Sequence, residues 1–127
     1  MSLSNEQILN ILKLAGPDRY KHFIKRVADY EEVWGLNNNG WAMAATSDGI
    51  EVFPVWPAKE YAELCAQGDW VDYNPKEISL SEFMGEILPE LKEKGIGICV
   101  FYTPSDKGVI PEISQLLNDL EVELENY

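Results

Sequence analysis

One histidine, two cysteines and a handful of serines are what this chain offers for nucleophilic chemistry. A serine or cysteine nucleophile needs a base within hydrogen-bond reach and a third group to orient that base. His22 is the sole imidazole, and it lies on the polar side of a helix-patterned stretch, so its expected place is an exposed helix surface. Only a coincidence of folding would bring it to Cys65 or Ser105, and the G-x-S-x-G elbow does not occur. Cys65 and Cys99 fall on a predicted helix and a predicted core strand, where buried inert thiols are expected rather than a disulfide. Structural zinc asks for four Cys or His ligands at close spacing, and the DxDxDG calcium loop is absent, so neither a metal nor another cofactor is expected. Gly95-Ile96-Gly97 precedes a strand instead of joining a strand to a helix, and Asp106-Lys107-Gly108 reads as a turn, so neither is a phosphate cradle.

Carboxylates are abundant, which makes any one pair weak evidence. Glu31-Glu32, Asp69 with Asp72, and Glu121, Glu123 and Glu125 are all close in sequence. A glycosidase-like pair would need a cleft that fixes their separation and raises one pKa. Solvated charge is the expectation for most of them. The aromatic residues narrow the choice further. Trp34, Trp41, Trp56 and Trp70 all fall in or beside one strand-rich region, and most should be core. Trp70 and Tyr73 stand in an irregular stretch beside Asp69 and Asp72. Aromatic anchors ringed by acids suit a surface that binds a basic protein, so Asp69, Trp70, Asp72 and Tyr73 are the candidate binding residues. The alternative at this position is that Trp70 folds back onto the sheet.

The charge balance points the same way. The chain of 127 residues carries 22 acidic and 10 basic side chains, a net charge of −12. Residues 1–30 hold Lys13, Arg19, Lys21, Lys25 and Arg26 against Glu6, Asp18 and Asp29, a balance of +2 that leaves −14 for the rest. Such a field repels nucleic-acid backbones and anionic membranes and attracts basic partners. No nucleic-acid partner is expected. Nor is a membrane, since no apolar run approaches the ~20 residues a spanning helix needs. The polar start, without a basic leader, makes the cytoplasm the default location.

The elements that must position these groups follow from periodicity. The length predicts one domain, 1–127. Ser4 and Gln7 form a capping-box pattern ahead of Ile8, Ile11 and Leu12. After Gly16-Pro17, the stripe Tyr20, Phe23, Ile24, Val27 and Ala28 is the clearest amphipathic signal, with Arg19, Lys21, His22, Lys25 and Arg26 assigned to the solvent face. A β-meander over 32–55 follows, turning at Asn37–Gly40 and at Asp48-Gly49. Pro54 implies an edge, a bulge or a strand end. A helix runs from Pro57 to Gln67, residues 69–76 read as a long surface loop, and 77–80 as a short strand. The next helix starts after Ser81 and should kink at Pro89. Residues 96–102, apolar on both faces, read as a central strand. A final helix starts at Pro111. The fold class is therefore α+β: a mixed, mostly antiparallel sheet of about five strands flanked by about five helices.

Val33-Trp34-Gly35-Leu36, then Gly40-Trp41-Ala42, then Val52-Phe53-Pro54-Val55-Trp56-Pro57 and Glu60-Tyr61-Ala62-Glu63-Leu64-Cys65 together resemble the bacterial family known as domain of unknown function 2750. Trp70, Ser81-Glu82-Phe83, Leu88-Pro89 and Val100-Phe101-Tyr102-Thr103-Pro104 fit the same pattern, from about Arg19 onward. Phe53-Pro54-Val55-Trp56 is also similar to a strand of type III secretion enhancer proteins, over a shorter stretch. The family brings no catalytic residues with it. By analogy with small acidic bacterial domains, the leading expectation is a non-catalytic protein-binding module, in its sharpest form an immunity-type protein that neutralises a basic toxin. Two alternatives stand beside it: a small-molecule or enzymatic domain with an aromatic-lined pocket, and a regulatory or secretion-associated adaptor. The oligomeric state is left open, a homodimer included.

Overall fold

The computed structural model describes residues 4–104 and 108–126. Ser105 and the first two residues of the Asp106-Lys107-Gly108 turn thus lie outside the described residues. Five helices and five strands appear among the described residues, and the chain is α+β. Helix α1 (Asn5–Leu12) opens with the full capping box, Ser4 Oγ accepting from Gln7 and the Gln7 side chain accepting from the Ser4 backbone. Helix α2 (Gly16–Tyr30) begins with Pro17 in its first turn, where a missing N–H costs nothing. Phe23 and Val27 are fully buried along its inner face. Each such side chain stabilises the fold by about 1.5–3 kcal/mol relative to exposure.

The five strands divide between two ladders. Strand β1 (Glu32–Asn37) pairs antiparallel with β4 (Asn74–Ser79), from Glu32 opposite Ser79 to Asn37 opposite Asn74. Strands β2 (Ala44–Ala45), β3 (Glu51–Val55) and β5 (Gly97–Val100) form the second ladder in that order, with β3 and β5 parallel. A bridge between Trp34 and Trp56, closed by backbone bonds in both directions, ties the two ladders together. The meander over 32–55 is therefore interrupted. After Asn37 the chain makes one bridge, Asn37 to Trp41, and β2 keeps two residues, while β1 takes β4 as its long partner.

Within residues 96–102, strand β5 spans Gly97–Val100. Ile98 and Val100 are completely buried, and β5 pairs with β3 on one side and, through the single antiparallel bridge Val100 to Val109, has a neighbour on the other. Cover on both faces accounts for its apolar pattern. Pro54 is accommodated inside β3. Val55 accepts from Phe101 on the β5 side, so the nitrogen of Pro54 points to the opposite edge, where β2 has already stopped at Ala44 opposite Val52.

Helix α3 (Lys59–Cys65) is shorter than its periodicity suggests, and a 3₁₀ turn over Gly68–Trp70 follows it. The helical run α4 consists of Leu80–Glu82, a π-helical segment Phe83–Ile87, and Leu88–Lys94, closed by Gly95 at φ +73. The π segment stands where a kink at Pro89 is expected. It supplies the wider turn that lets the proline sit in the first turn of the last piece. Helix α5 (Ile113–Leu124) starts two residues after Pro111 and buries Ile113, Leu116 and Leu120. Buried side chains of α2, α3, α4, α5 and strands β1, β3, β4 and β5 form one continuous core cluster.

Candidate functional site

The parallel strands β3 and β5 end side by side, and the chain leaves them in different directions. Phe101, the residue after β5, is fully buried with φ +63, a left-handed conformation that disfavours a bulky side chain. Its ring packs against Tyr61 of α3 at 4.8 Å between centroids. This reversal carries the Tyr102 carbonyl to two donors, Trp56 Nε1 at 2.6 Å and Cys65 Sγ at 3.3 Å. Beside these groups opens a hollow of about 370 Å³, lined by Met43, both residues of β2, Cys65, Gln67, Asp69, Trp70, Tyr102 and Pro104. Positions outside the carboxyl ends of parallel strands are where α/β sheets place their ligands.

Two of the four candidate residues therefore meet at one hollow. Asp69 is exposed at its edge, and Trp70 forms a wall. The Trp70 ring is turned inward, edge-on to Trp56 at 6.2 Å and to Tyr102 at 5.2 Å. Trp70 is half-buried, as is Tyr73. Asp72 is exposed but does not line the hollow, and neither does Tyr73. Between the two aspartates, Val71 is 65% exposed, which makes this turn a small apolar tip with acids on both sides. Part of the surface loop over 69–76 is strand, because β4 begins at Asn74. Tyr102, Gln67 and Met43 are wall residues that sequence reasoning missed. Tyr102 reads as the end of a strand, and only the left-handed turn at Phe101 sends it here.

The nucleophile candidates are placed elsewhere. Burial pushes the Cys65 thiol up to about 11, with the nearby Trp56 side chain offsetting part of the effect. With its hydrogen on the Tyr102 carbonyl, Cys65 is a protonated structural thiol. Cys65 and Cys99 are both buried and free. His22 is not an exposed surface residue. It is half-buried between Tyr61 and Phe101, at 6.3 and 6.1 Å between ring centroids. Burial lowers its pKa, and the Arg26 charge lowers it further. Arg19 also leaves its assigned solvent face. It is 3% exposed and donates to the Leu14 carbonyl, which fastens the α1–α2 turn. Leu14 lies two residues past the end of α1, and its carbonyl gives the buried guanidinium a hydrogen-bond acceptor.

Acidic groups crowd a second place. Glu32 on β1 and Glu77 on β4 are near enough that the charge of Glu32 raises the Glu77 carboxyl above its ordinary range. Trp34 Nε1 donates to Glu32 Oε1 at 3.3 Å beside them. No group of three or more His, Cys, Asp or Glu is arranged to hold a metal ion among the described residues. Among the same residues, no helix is long and apolar enough to cross a membrane.

A family model for proteins of unknown function, DUF2750, matches residues 20–120. The chain belongs to the DUF2750 family. The match begins within α2 and ends within α5, so it covers every strand and the whole hollow. The likeness of Phe53-Pro54-Val55-Trp56 to type III secretion enhancer proteins gains no support. No curated protein and no solved structure matches the chain.

Proposed function

We propose that this DUF2750 protein is a protein-binding module that captures a basic partner at the hollow between Trp70, Tyr102 and Asp69. The observation that carries the reading is the convergence there of an exposed carboxylate and two aromatic rings, with the exposed Val71 next to Trp70 in sequence. A lysine or arginine side chain of a partner would place its charge against Asp69 and its apolar stem against the rings. Cation–π contact contributes about 0.5–2 kcal/mol in such settings. The −14 carried after residue 30 would steer the encounter, and Asp72 acts in that role from outside the hollow. In its sharpest form the module is immunity-type, and its partner is a basic toxin whose active surface it covers.

The test starts with a pull-down from the source organism at low and then moderate salt, read by mass spectrometry. The expected result is a stoichiometric basic protein whose recovery falls as salt rises. Binding kinetics of that protein then compare the natural chain with D69K/D72K and W70F. Charge reversal should slow association and flatten its salt dependence, while W70F should mainly speed dissociation. A partner that binds D69K/D72K with unchanged kinetics and unchanged salt slope would remove this hollow from the function.

A further inference from the structure

A second concave surface lies away from that hollow and shares no residue with it. It is a groove of about 830 Å³ between α2 and α5. Ile24 and Val122 contribute to its apolar floor, and Val122 remains 53% exposed. One rim carries Lys21 and Lys25 from α2, and the other carries Asp119 and Glu123 from α5. Asp119 is held in place: Tyr20 donates to one carboxylate oxygen at 2.6 Å and Gln115 to the other at 2.8 Å. Among the described residues, neither Lys21 nor Lys25 pairs with a carboxylate. The groove thus has an apolar floor, a basic edge and an acidic edge, with the two charges not joined to each other.

From this arrangement we infer that the groove is the contact surface of a homodimer, and that its occupant is a second copy of this chain. A two-fold axis lying along the groove places each α2 over the other copy's α5. Lys21 and Lys25 of one copy then face Asp119 and Glu123 of the other, twice over, while the two floors close on each other. An isologous interface requires such self-complementarity, and here one surface supplies both signs. The charge map gives a second reason. Residues 1–30 carry a balance of +2, and the −14 of the rest is its counterpart. Two bodies of net −12 repel, but salt confines that repulsion to about 8 Å at physiological strength. Contact is therefore favoured where the sign changes locally, which is at this groove.

The decisive experiment is sedimentation velocity over a concentration series with single and mixed charge reversals. The natural chain should shift from its 14.4 kDa monomer toward twice that mass as concentration rises. K25E sets a carboxylate against Glu123 of the other copy, and E123K sets an ammonium against its Lys25. Each alone should weaken self-association by roughly tenfold or more. An equimolar mixture of the two should restore part of it, because in the mixed dimer one of the two cross-contacts keeps its natural pair and the other has both signs reversed. Circular dichroism melts of each variant check folding, and V122D, which charges the floor, should be monomeric. A natural chain that stays monomeric up to millimolar concentration would overturn the inference and leave the groove to another occupant. A dimer that survives both reversals unchanged, or a mixture that regains nothing of what the singles lost, would equally overturn it.

Discussion

Replacing Gly35 with alanine tests how tightly the two ladders are fastened. Gly35 lies on β1 opposite Lys76, and the Trp41 ring covers it. A Cβ built there would meet Trp41 Cζ3 at 2.9 Å and Cε3 at 3.0 Å. Carbon atoms prefer about 3.5–4.0 Å, so the ring would have to withdraw by roughly half an ångström or more. Withdrawal loosens its contact with Phe53, whose ring centroid is 5.6 Å away, and disturbs the Lys76 ammonium placed 5.6 Å above the ring. Overpacking of this kind costs about 1–3 kcal/mol. For a chain of this size each kcal/mol lowers Tm by about 3–6 °C. Urea and thermal unfolding, followed by far-ultraviolet dichroism, read the loss directly. The sign of a second measurement is more telling. In a W41L background the ring edge is gone, and alanine is a better strand residue than glycine, so Gly35→Ala should become neutral or slightly stabilising. An equal cost in both backgrounds, or no cost in the natural one, would refute the close-approach argument.

Two further predictions concern buried groups. His22 has its pKa lowered by burial and by Arg26, so the folded state holds it neutral while the unfolded chain takes up a proton below about 6.5. More protons are then bound by the unfolded chain, so stability is full above that pH and falls as pH drops toward the lowered folded value. Unfolding free energies from pH 7.5 downward should show this slope, and H22F should flatten it; an identical slope in H22F would show that other groups set it. Cys65, at about 11, should be unreactive. At pH 8 it carries roughly two hundredfold less thiolate than a free cysteine, so a C99S variant should label with maleimide at least that much more slowly when folded than in urea. Labelling at the free-thiol rate in the folded state would contradict its placement.

Local signals are readable in this chain and long-range ones are not. The stripe Phe23, Ile24, Val27 and Ala28 is buried as its spacing predicts, because burial of one helix face imposes that spacing. The Ser4–Gln7 capping box is likewise a three-residue pattern with a three-residue cause. Pairing of β1 with β4 spans some forty positions, and no turn chemistry records it. Arg19 and His22 depart from expectation because side-chain type is a poor guide to exposure. One guanidinium is drawn inward by the Leu14 carbonyl, and one imidazole by two aromatic rings. At the hollow, composition alone points to Asp69 and Trp70. Nothing local points to Tyr102, whose position depends on one residue's left-handed φ.

The π-helical segment of α4 has a consequence for how the family's chain length can vary. Leu88 donates its N–H to the carbonyl of Phe83, five residues back, and both side chains are fully buried. A π segment absorbs one surplus residue within a helix. Shortening the chain by one between 83 and 87 would return the helix to ordinary pitch and still leave Leu88 and Leu91 facing the core. The same shortening would tighten the turn around Pro89, whose ring then collides with the carbonyl four positions earlier. Length and proline are thus linked: relatives that keep a proline at this place should keep the extra residue, and those that lose one are free to lose the other.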